Sequence, residues 1–249
     1  MRDDTLQLAG RRAFVTGGAK GIGAAIARRL ATLGAAVVVA DIDDAGARTL
    51  AADIGGHAVV LDVSDSARGA AVMADAGPFE ILVNNAGVDQ HDFFTKTTVA
   101  DWHRLVAINL FSVLATVHQA LPSMQAARYG RIINIVSEAA RLGSKGGAVY
   151  AAAKGGVIAF SKSIARENAR FGITVNCIAP GPIDTPLLQA GVATGGDKLL
   201  SAMVEATLVK RLGTPDEVAA AVAFLASDAA AFITGETLGV SGGMGLGGS

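Results

Sequence analysis

Tyr150 and Lys154 stand four residues apart in a segment of helical period, so both side chains project from one face, one turn apart. An isolated phenol titrates near pH ~10, too high for a base at neutral pH, but a neighbouring ammonium favours the phenolate. The spacing therefore suggests a proton-transfer pair in which Lys154 tunes Tyr150 downward. Ser137 falls 13 residues before Tyr150, at the end of an apolar β-branched run, where its hydroxyl could orient a carbonyl or alcohol oxygen. Asn109, in Ala107-Ile108-Asn109-Leu110, is expected to complete a proton relay through water to Lys154. Singly, each of these residues has a plainer structural use; jointly, at these spacings, they point to acid–base chemistry. Other chemistry is poorly supported. His57, His91, His103 and His118 show no metal-ligand spacing, Cys177 lies in an apolar run, and Ser137 lacks a surrounding G-x-S-x-G, so no metal site and no hydrolase elbow are expected.

A second constellation opens the chain. The apolar run Ala13-Phe14-Val15 leads into Thr16-Gly17-Gly18-Ala19-Lys20-Gly21-Ile22-Gly23, with a helical segment behind it. Glycines there let the backbone turn tightly and approach a pyrophosphate, whose charge would meet the free N–H groups and positive dipole of the helix start. The spacing is Gly-x3-Gly-x-Gly rather than G-x-G-x-x-G, and alone it is a weak signal. The next apolar run ends in Asp41, 24 residues after Gly17. A carboxylate at that place can bond both hydroxyls of an adenosine ribose and would repel a 2′-phosphate. Ile42 offers no cationic compensation, so NAD is expected rather than NADP, although Lys20 inside the turn is a cation the phosphate could use.

These groups need a scaffold that gathers strand ends. Short apolar runs at 13–15, 37–39, 58–61, 81–83, 132–136, 173–175 and 237–240 read as strands covered on both faces. Helix candidates lie between them at 22–33, 43–54, 65–76, 99–127, 148–171 and 215–227. Gly34, Gly77, Gly130 and Gly172 stand where a left-handed residue would end a helix. Such alternation predicts an α/β fold, a parallel sheet with helices on both faces, with ligands outside the carboxyl ends of the strands.

Composition agrees with that scaffold. Of 249 residues, 51% are hydrophobic and only 17% charged, which argues against a disordered chain, and the net charge of −1 argues against a nucleic-acid binder. Apolar runs such as 35–40 and 218–226 are too short to span a membrane, and no secretory signal opens the chain, so a cytoplasmic location without membrane association is expected. The single cysteine fits a reducing compartment. A surface so poor in charge suggests a homo-oligomer, specifically a homotetramer through helix faces around 99–127 and 148–171 and the Gly-rich tail.

Along essentially its whole length the chain resembles the short-chain dehydrogenases/reductases, in their shorter single-domain branch. The likeness rests on Thr16-Gly-x3-Gly-x-Gly23, Leu61-Asp62-Val63, Asn84-Asn85-Ala86-Gly87, Asn109, Ser137, Tyr150-x3-Lys154, Pro180-Gly181 and the tail from Thr234-Gly235 to Gly243. It implies a doubly wound Rossmann fold with a seven-stranded parallel sheet, residues 1–249 forming one NAD-binding catalytic domain with a substrate lid at about 184–212. It implies hydride transfer between a nicotinamide cofactor and a secondary alcohol or ketone, with Asn109, Ser137, Tyr150 and Lys154 catalytic. The pyrophosphate would lie on Gly17, Lys20, Gly21, Ile22 and Gly23, the adenosine ribose at Asp41 and Ile42, and the adenine against Asp62 and Val63. Asn85, Ala86 and Gly87 would let the chain pass closely. Tyr150 and Lys154 would meet the nicotinamide ribose, with the carboxamide held by Ile183 and Thr185 beyond Pro180 and Gly181.

Within the family, stretches such as Phe94-Thr95-Lys96-Thr97 and Gly181-Pro182-Ile183-Asp184-Thr185 look most like dehydrogenases of 2-hydroxycyclohexanecarboxyl-CoA. The chain also resembles 3-oxoacyl carrier-protein reductases, which generally use NADPH, against which Asp41 argues. A nicotinamide-sensing regulator without chemistry is the remote alternative. Selectivity is expected from the loops 88–94, 138–147 and 187–211, with Gly191, Gly195 and Gly196 loosening the last. Arg141 and Lys145 stand either as solvated surface charges or as partners for an anionic substrate or a phosphate-bearing carrier. Glu138, directly after Ser137, departs from the family pattern and could bring a carboxylate near the site.

Overall fold

Strand side chains alternate between faces, and here both faces are apolar, so each strand has to be covered on two sides. The computed structural model describes residues 6–246 and shows that cover. Seven parallel strands, β1 (Arg12–Thr16), β2 (Ala36–Asp41), β3 (His57–Val60), β4 (Ile81–Asn84), β5 (Gly130–Ile135), β6 (Ile173–Pro180) and β7 (Thr237–Val240), lie in the order β3-β2-β1-β4-β5-β6-β7. Phe14 of β1 stands opposite Val38 of β2 and Leu82 of β4. On one face Val15, Val37 and Ile133 pack with α1 (Gly21–Thr32), α2 (Asp44–Ile54) and α9 (Pro215–Ala226) through Ile26, Leu30, Leu50, Val218 and Val222. On the other, Phe14, Leu82, Ile132 and Val175 pack with α3 (Ser66–Ala76), α5 (Ser112–Ala127) and α7 (Ala148–Asn168) through Met73, Val113, Val117 and Val157. The chain leaves β1 toward β2 on one side and returns to pair β4 on the other. The strand order therefore reverses at β1/β4, the place where such sheets bind ligands.

The expected seven-stranded doubly wound sheet is present, with local departures. The helical segment at 99–127 is α4 (Val99–Val106) and α5 joined by a π-turn, Ala107–Phe111. Taken together, Val99–Ala127 is 29 residues long and apolar enough, by length and composition, to cross a membrane, longer than the runs picked out above. Its inner face nevertheless carries polar groups among the apolar ones. Thr116 donates to the Asn84 side chain (2.7 Å), Asn84 to Asn134 (2.8 Å) and Asn134 to Ser161 (2.9 Å), tying α5, β4, β5 and α7 through the core. Gly130 does not end α5 in a left-handed turn. Arg128 does so with φ +53°, while Gly130 opens β5 because a Cβ there would stand 2.6 Å from the Met124 sulfur. β6 runs five residues past the apolar 173–175, since buried Asn176 donates to the Ile233 carbonyl and accepts from the Glu236 amide. Between β6 and α9, in the stretch expected to form the lid, lies α8 (Pro186–Glu205), broken at Gly196 (φ +72°).

Candidate active site

The crevice at β1/β4 is built around absent side chains. A Cβ on Gly17 (φ +62°) would come within 2.8 Å of the Ala86 Cα, and one on Gly23 would strike the Gly17 carbonyl oxygen. The turn can therefore close only with glycine at both places. It delivers the chain into α1, whose first turn has no side-chain cap and contains no acidic residue. Free amides, the positive helix end and open backbone together suit a pyrophosphate, so the residues present fit a dinucleotide. Exposed Lys20 is the N-cap residue, with Gly21 and Ile22 behind it in the first turn. Gly21 also faces Thr185, whose methyl would lie 3.7 Å from an added Cβ, bringing the start of α8 against the turn. Thr185 itself caps α8 by accepting from the Leu188 amide (3.2 Å).

Asp41 ends β2 beside this turn, 8% exposed, and its carboxylate accepts from the Ala19 amide (2.9 Å) and the Asp43 amide (2.9 Å). Ile42 next to it is 68% exposed, apolar surface available to a ligand. Asp62 is exposed and accepts from both the amide and the hydroxyl of Ser64, which hold its carboxyl below the usual carboxylate range. Val63 is half-buried against the core beneath it. Beyond β6, Ile183 is buried and pairs with Gly213, and Gly181 passes so near Ser241 that a Cβ would meet its Cα at 2.9 Å. Pro180, accepting from Glu138, ends the strand there.

The ends of β4 and β5 meet at the acid–base groups. Ser137 follows β5, and its Oγ accepts from the Ala139 amide (3.1 Å) and lies near enough to the Tyr150 phenol to lower its pKa. One turn along α7 from Tyr150, Lys154 is 3% exposed, donates to the Ile135 carbonyl (2.9 Å) and lies 5.9 Å from the Tyr150 ring centre. Asn109 is fully buried in the π-turn, where its amide donates to the Val88 and Leu105 carbonyls and its oxygen accepts from Val88. It does not bond Lys154, but a Cβ on Gly87 would touch both, at 2.8 Å from the Asn109 oxygen and 3.3 Å from the Lys154 nitrogen. Glycine at 87 thus keeps these two groups beside each other.

The protonation state departs from expectation. Burial, then the Asp89 carboxylate, push the Tyr150 phenol up to about 12, against a smaller lowering by Ser137, and Lys154 does not set its value. Burial lowers Lys154 to about 8, partly opposed by Cys177 and Asp89. A phenol raised in this way carries its proton at neutral pH.

Other expectations also change. Glu138 is 1% exposed, but its carboxylate turns to Arg141 (3.2 Å) and to the backbone at Gly239 and Gly245, where added Cβ atoms would lie within 2.7 and 3.1 Å. It lies against β7 and the C-terminal segment, and its ion pair engages Arg141. Lys145 sits over the Phe93 ring, 5.7 Å from its centre. Two residues with work at this site had no role assigned from sequence. The Thr16 hydroxyl accepts from the Asn85 and Ala86 amides (3.0 and 3.1 Å), while the Asn85 side chain donates to the Thr16 and Gly17 carbonyls, locking the two turns together. Gln90 accepts from the Val149 and Tyr150 amides (3.0 and 3.2 Å). A signal for the latter is visible in Gly146-Gly147-Ala148: α7 starts with no Ser, Thr, Asp or Asn to cap it, so its amides need a distant acceptor.

Comparison with known proteins bears on what this geometry is. The family model described as enoyl-(acyl carrier protein) reductase matches residues 17–245. The 3-oxoacyl-[acyl-carrier-protein] reductase of Escherichia coli (strain K12) is 42% identical over 241 residues, 94% of this chain and 97% of the relative. Nodulation protein G of Rhizobium sp. (strain N33) is 40% identical over 246 residues, 96% and 99% of the two chains. A solved gluconate 5-dehydrogenase from Burkholderia cenocepacia J2315, in complex with NADP and tartrate, superposes with a TM-score of 0.93 at 36% identity, covering 98% of this chain and 99% of that one. Relatives matched across nearly their full length, on a sheet whose switch point carries the glycine turn, leave no doubt of descent: the chain belongs to the short-chain dehydrogenases/reductases and is an oxidoreductase of that family.

Proposed function

We propose that this protein is an NAD-linked oxidoreductase that interconverts a 3-oxoacyl thioester and its 3-hydroxy counterpart, running best toward reduction. The observation that carries the reading is the half-buried Tyr150 phenol, kept protonated beside Ser137. A bound nicotinamide dinucleotide supplies the hydride. Ser137 fixes the substrate oxygen, and Tyr150 gives that oxygen its proton as charge develops there. Lys154 presents a buried ammonium at the nicotinamide-ribose position and replenishes Tyr150, while Asn109 keeps the 88–109 connection closed over it. The thioester assignment draws on the 3-oxoacyl reductase relatives, whose names favour it over a cyclic hydroxyacyl substrate. The test is a panel of 3-oxoacyl thioesters, cyclic ketones and sugar acids with NADH and NADPH side by side. Fastest NADH oxidation with the thioesters supports the reading, and none above the no-substrate rate refutes it.

Asp41 supports NAD, since a second anion placed against its buried carboxylate would be repelled. A second reading, NADP, is favoured by the gluconate 5-dehydrogenase title and by exposed Lys20 in the turn. The Asp41→Asn variant separates charge from hydrogen bonding, because its oxygen can still accept from the Ala19 amide. Equilibrium titration is expected to show the preference for NAD over NADP narrowing by about tenfold, the equivalent of ~1.4 kcal/mol. An unchanged ratio would exclude Asp41 as the discriminator.

Lys154 also makes a stability prediction. Its folded value of about 8 lies below the ordinary 10.5, so the buried ammonium costs stability at neutral pH. Between those two values the unfolded chain binds the extra proton, and stability rises with pH. Lys154→Met is therefore expected to raise Tm at pH 7, to lose that advantage toward pH 10.5, and to lose turnover throughout. Thermal melts across this range check the sign.

We also propose a homotetramer. The outer faces of α5 and α7 form an apolar groove lined by Phe111, Leu114, His118, Leu121, Phe160 and Ile164, and Phe111 is 54% exposed in the single chain. Light scattering is expected to give four times the 25.0 kDa chain mass, and a monomer at micromolar concentration would contradict it.

A further inference from the structure

We infer that Gln90 is a positioning residue for Tyr150, acting through the backbone of the catalytic helix; the inference rests on Tyr150 being the proton donor proposed above. The first amides of a helix have no partner within it, and α7 begins at Ala148 with Gly147 as N-cap and no side-chain cap. The acceptor arrives from 60 residues earlier. The Gln90 carboxamide oxygen takes the Val149 amide at 3.0 Å and the Tyr150 amide at 3.2 Å. Its NH2 donates to the Asp92 carbonyl (3.1 Å), so both ends of the carboxamide are engaged, and the Gln90 main-chain amide donates to the Asp89 carboxylate (2.7 Å).

The residue is 9% exposed, and a polar group so buried is costly without partners, so loss of the oxygen leaves two helix amides unsatisfied. The segment that carries Gln90 is itself anchored. Asn109 brackets Val88 on one side, and the turn before α7 packs on the other, where a Cβ at Gly146 would lie 3.5 Å from the His91 carbonyl. Gln90 is thus the hydrogen-bonded link between the Asn109-held segment and the turn of α7 that carries the phenol. Ser137 neighbours the Tyr150 phenol, and Gln90 accepts from the Tyr150 main chain, so the residue is engaged at both ends. The carboxamide accepts only main-chain amides, so its effect belongs in kcat and not in substrate or cofactor affinity.

Gln90→Met keeps length and removes the acceptor, Gln90→Ala is a second truncation, and Gln90→Glu restores an acceptor. With a 3-oxobutanoyl thioester and NADH, both truncations are expected to lower kcat by about 10–100-fold, the scale of an ångström of misplacement, with KM and cofactor Kd changed less than about twofold. Amide hydrogen exchange at Val149 and Tyr150 should accelerate in the truncations, and Gln90→Glu should recover most of kcat and of the protection. Wild-type kcat in a folded truncation overturns the inference. So does equal loss in Gln90→Glu, or loss that appears in KM or cofactor Kd. Tyr150→Phe run alongside separates this from the underlying reading: if it retains full turnover, the proton-donor reading falls and this inference with it. If it is inactive while the truncations are unimpaired, only the role of Gln90 falls.

Discussion

Replacing Tyr150 with phenylalanine is expected to lower kcat by about 10²–10⁴-fold, the range supplied by a positioned general acid. Cofactor affinity should change little. The ring fills the same space, so packing against Lys154 survives, and the loss is confined to the hydroxyl beside Ser137. Because burial and Asp89 hold the phenol at about 12, the wild type keeps its proton across the neutral range. The reductive rate should therefore stay flat from about pH 6 to pH 9 as far as this group is concerned, where a phenolate mechanism would give a rise. Stopped-flow measurement of NADH oxidation over that range reads both effects. A Tyr150→Phe protein within twofold of wild type would remove the phenol from the chemistry.

Gly23→Ala is expected to have a comparably large effect, on binding. The added Cβ would overlap the Gly17 carbonyl and come within 2.5 Å of the Asn85 side chain, which itself donates to the Thr16 and Gly17 carbonyls. Relief requires the glycine turn or the 84–87 turn to move, and neither is the free end of a flexible side chain. Overpacking of this kind costs about 1–3 kcal/mol of stability. Displacing the α1 amides from a pyrophosphate should further weaken cofactor binding by about 100-fold, the equivalent of ~2.7 kcal/mol. Calorimetric titration of NADH reads the second effect and thermal melting the first. Unchanged affinity would mean that the dinucleotide does not use this turn.

Much of this site was legible because its parts are local. Tyr150 and Lys154 share a helix turn, Gly17 to Gly23 is one continuous turn, and Asp41 is the last residue of an apolar run, so spacing alone proposed them. The sheet was legible for a related reason: strands buried on both faces are nearly all apolar and stand out between helical segments. What escaped depends on contacts between distant segments. Thr16 meets Asn85 from 69 residues away, and Gln90 meets Val149 from 59. Glu138 looked like an active-site carboxylate because it follows Ser137, but backbone direction reverses between neighbours after a strand, and it lies under the tail. The Tyr150 protonation state was misread because adjacency to an ammonium is visible in sequence, whereas burial and the approach of Asp89 are not. The π-turn was hidden too, since one extra residue in a helix leaves the apolar pattern of 99–127 almost intact.

The central claim is that hydride from a nicotinamide reaches a substrate carbonyl carbon while Tyr150 protonates its oxygen. Its most direct test is isotopic. The wild type is incubated with a 3-oxobutanoyl thioester and NADH carrying deuterium at the transferable position, and the product is weighed by mass spectrometry. The account predicts a 3-hydroxy thioester with one deuterium on the carbinol carbon for each NADH oxidised, and almost no product from Tyr150→Phe. A 3-hydroxy product without deuterium, or equal labelled product from Tyr150→Phe, would contradict it.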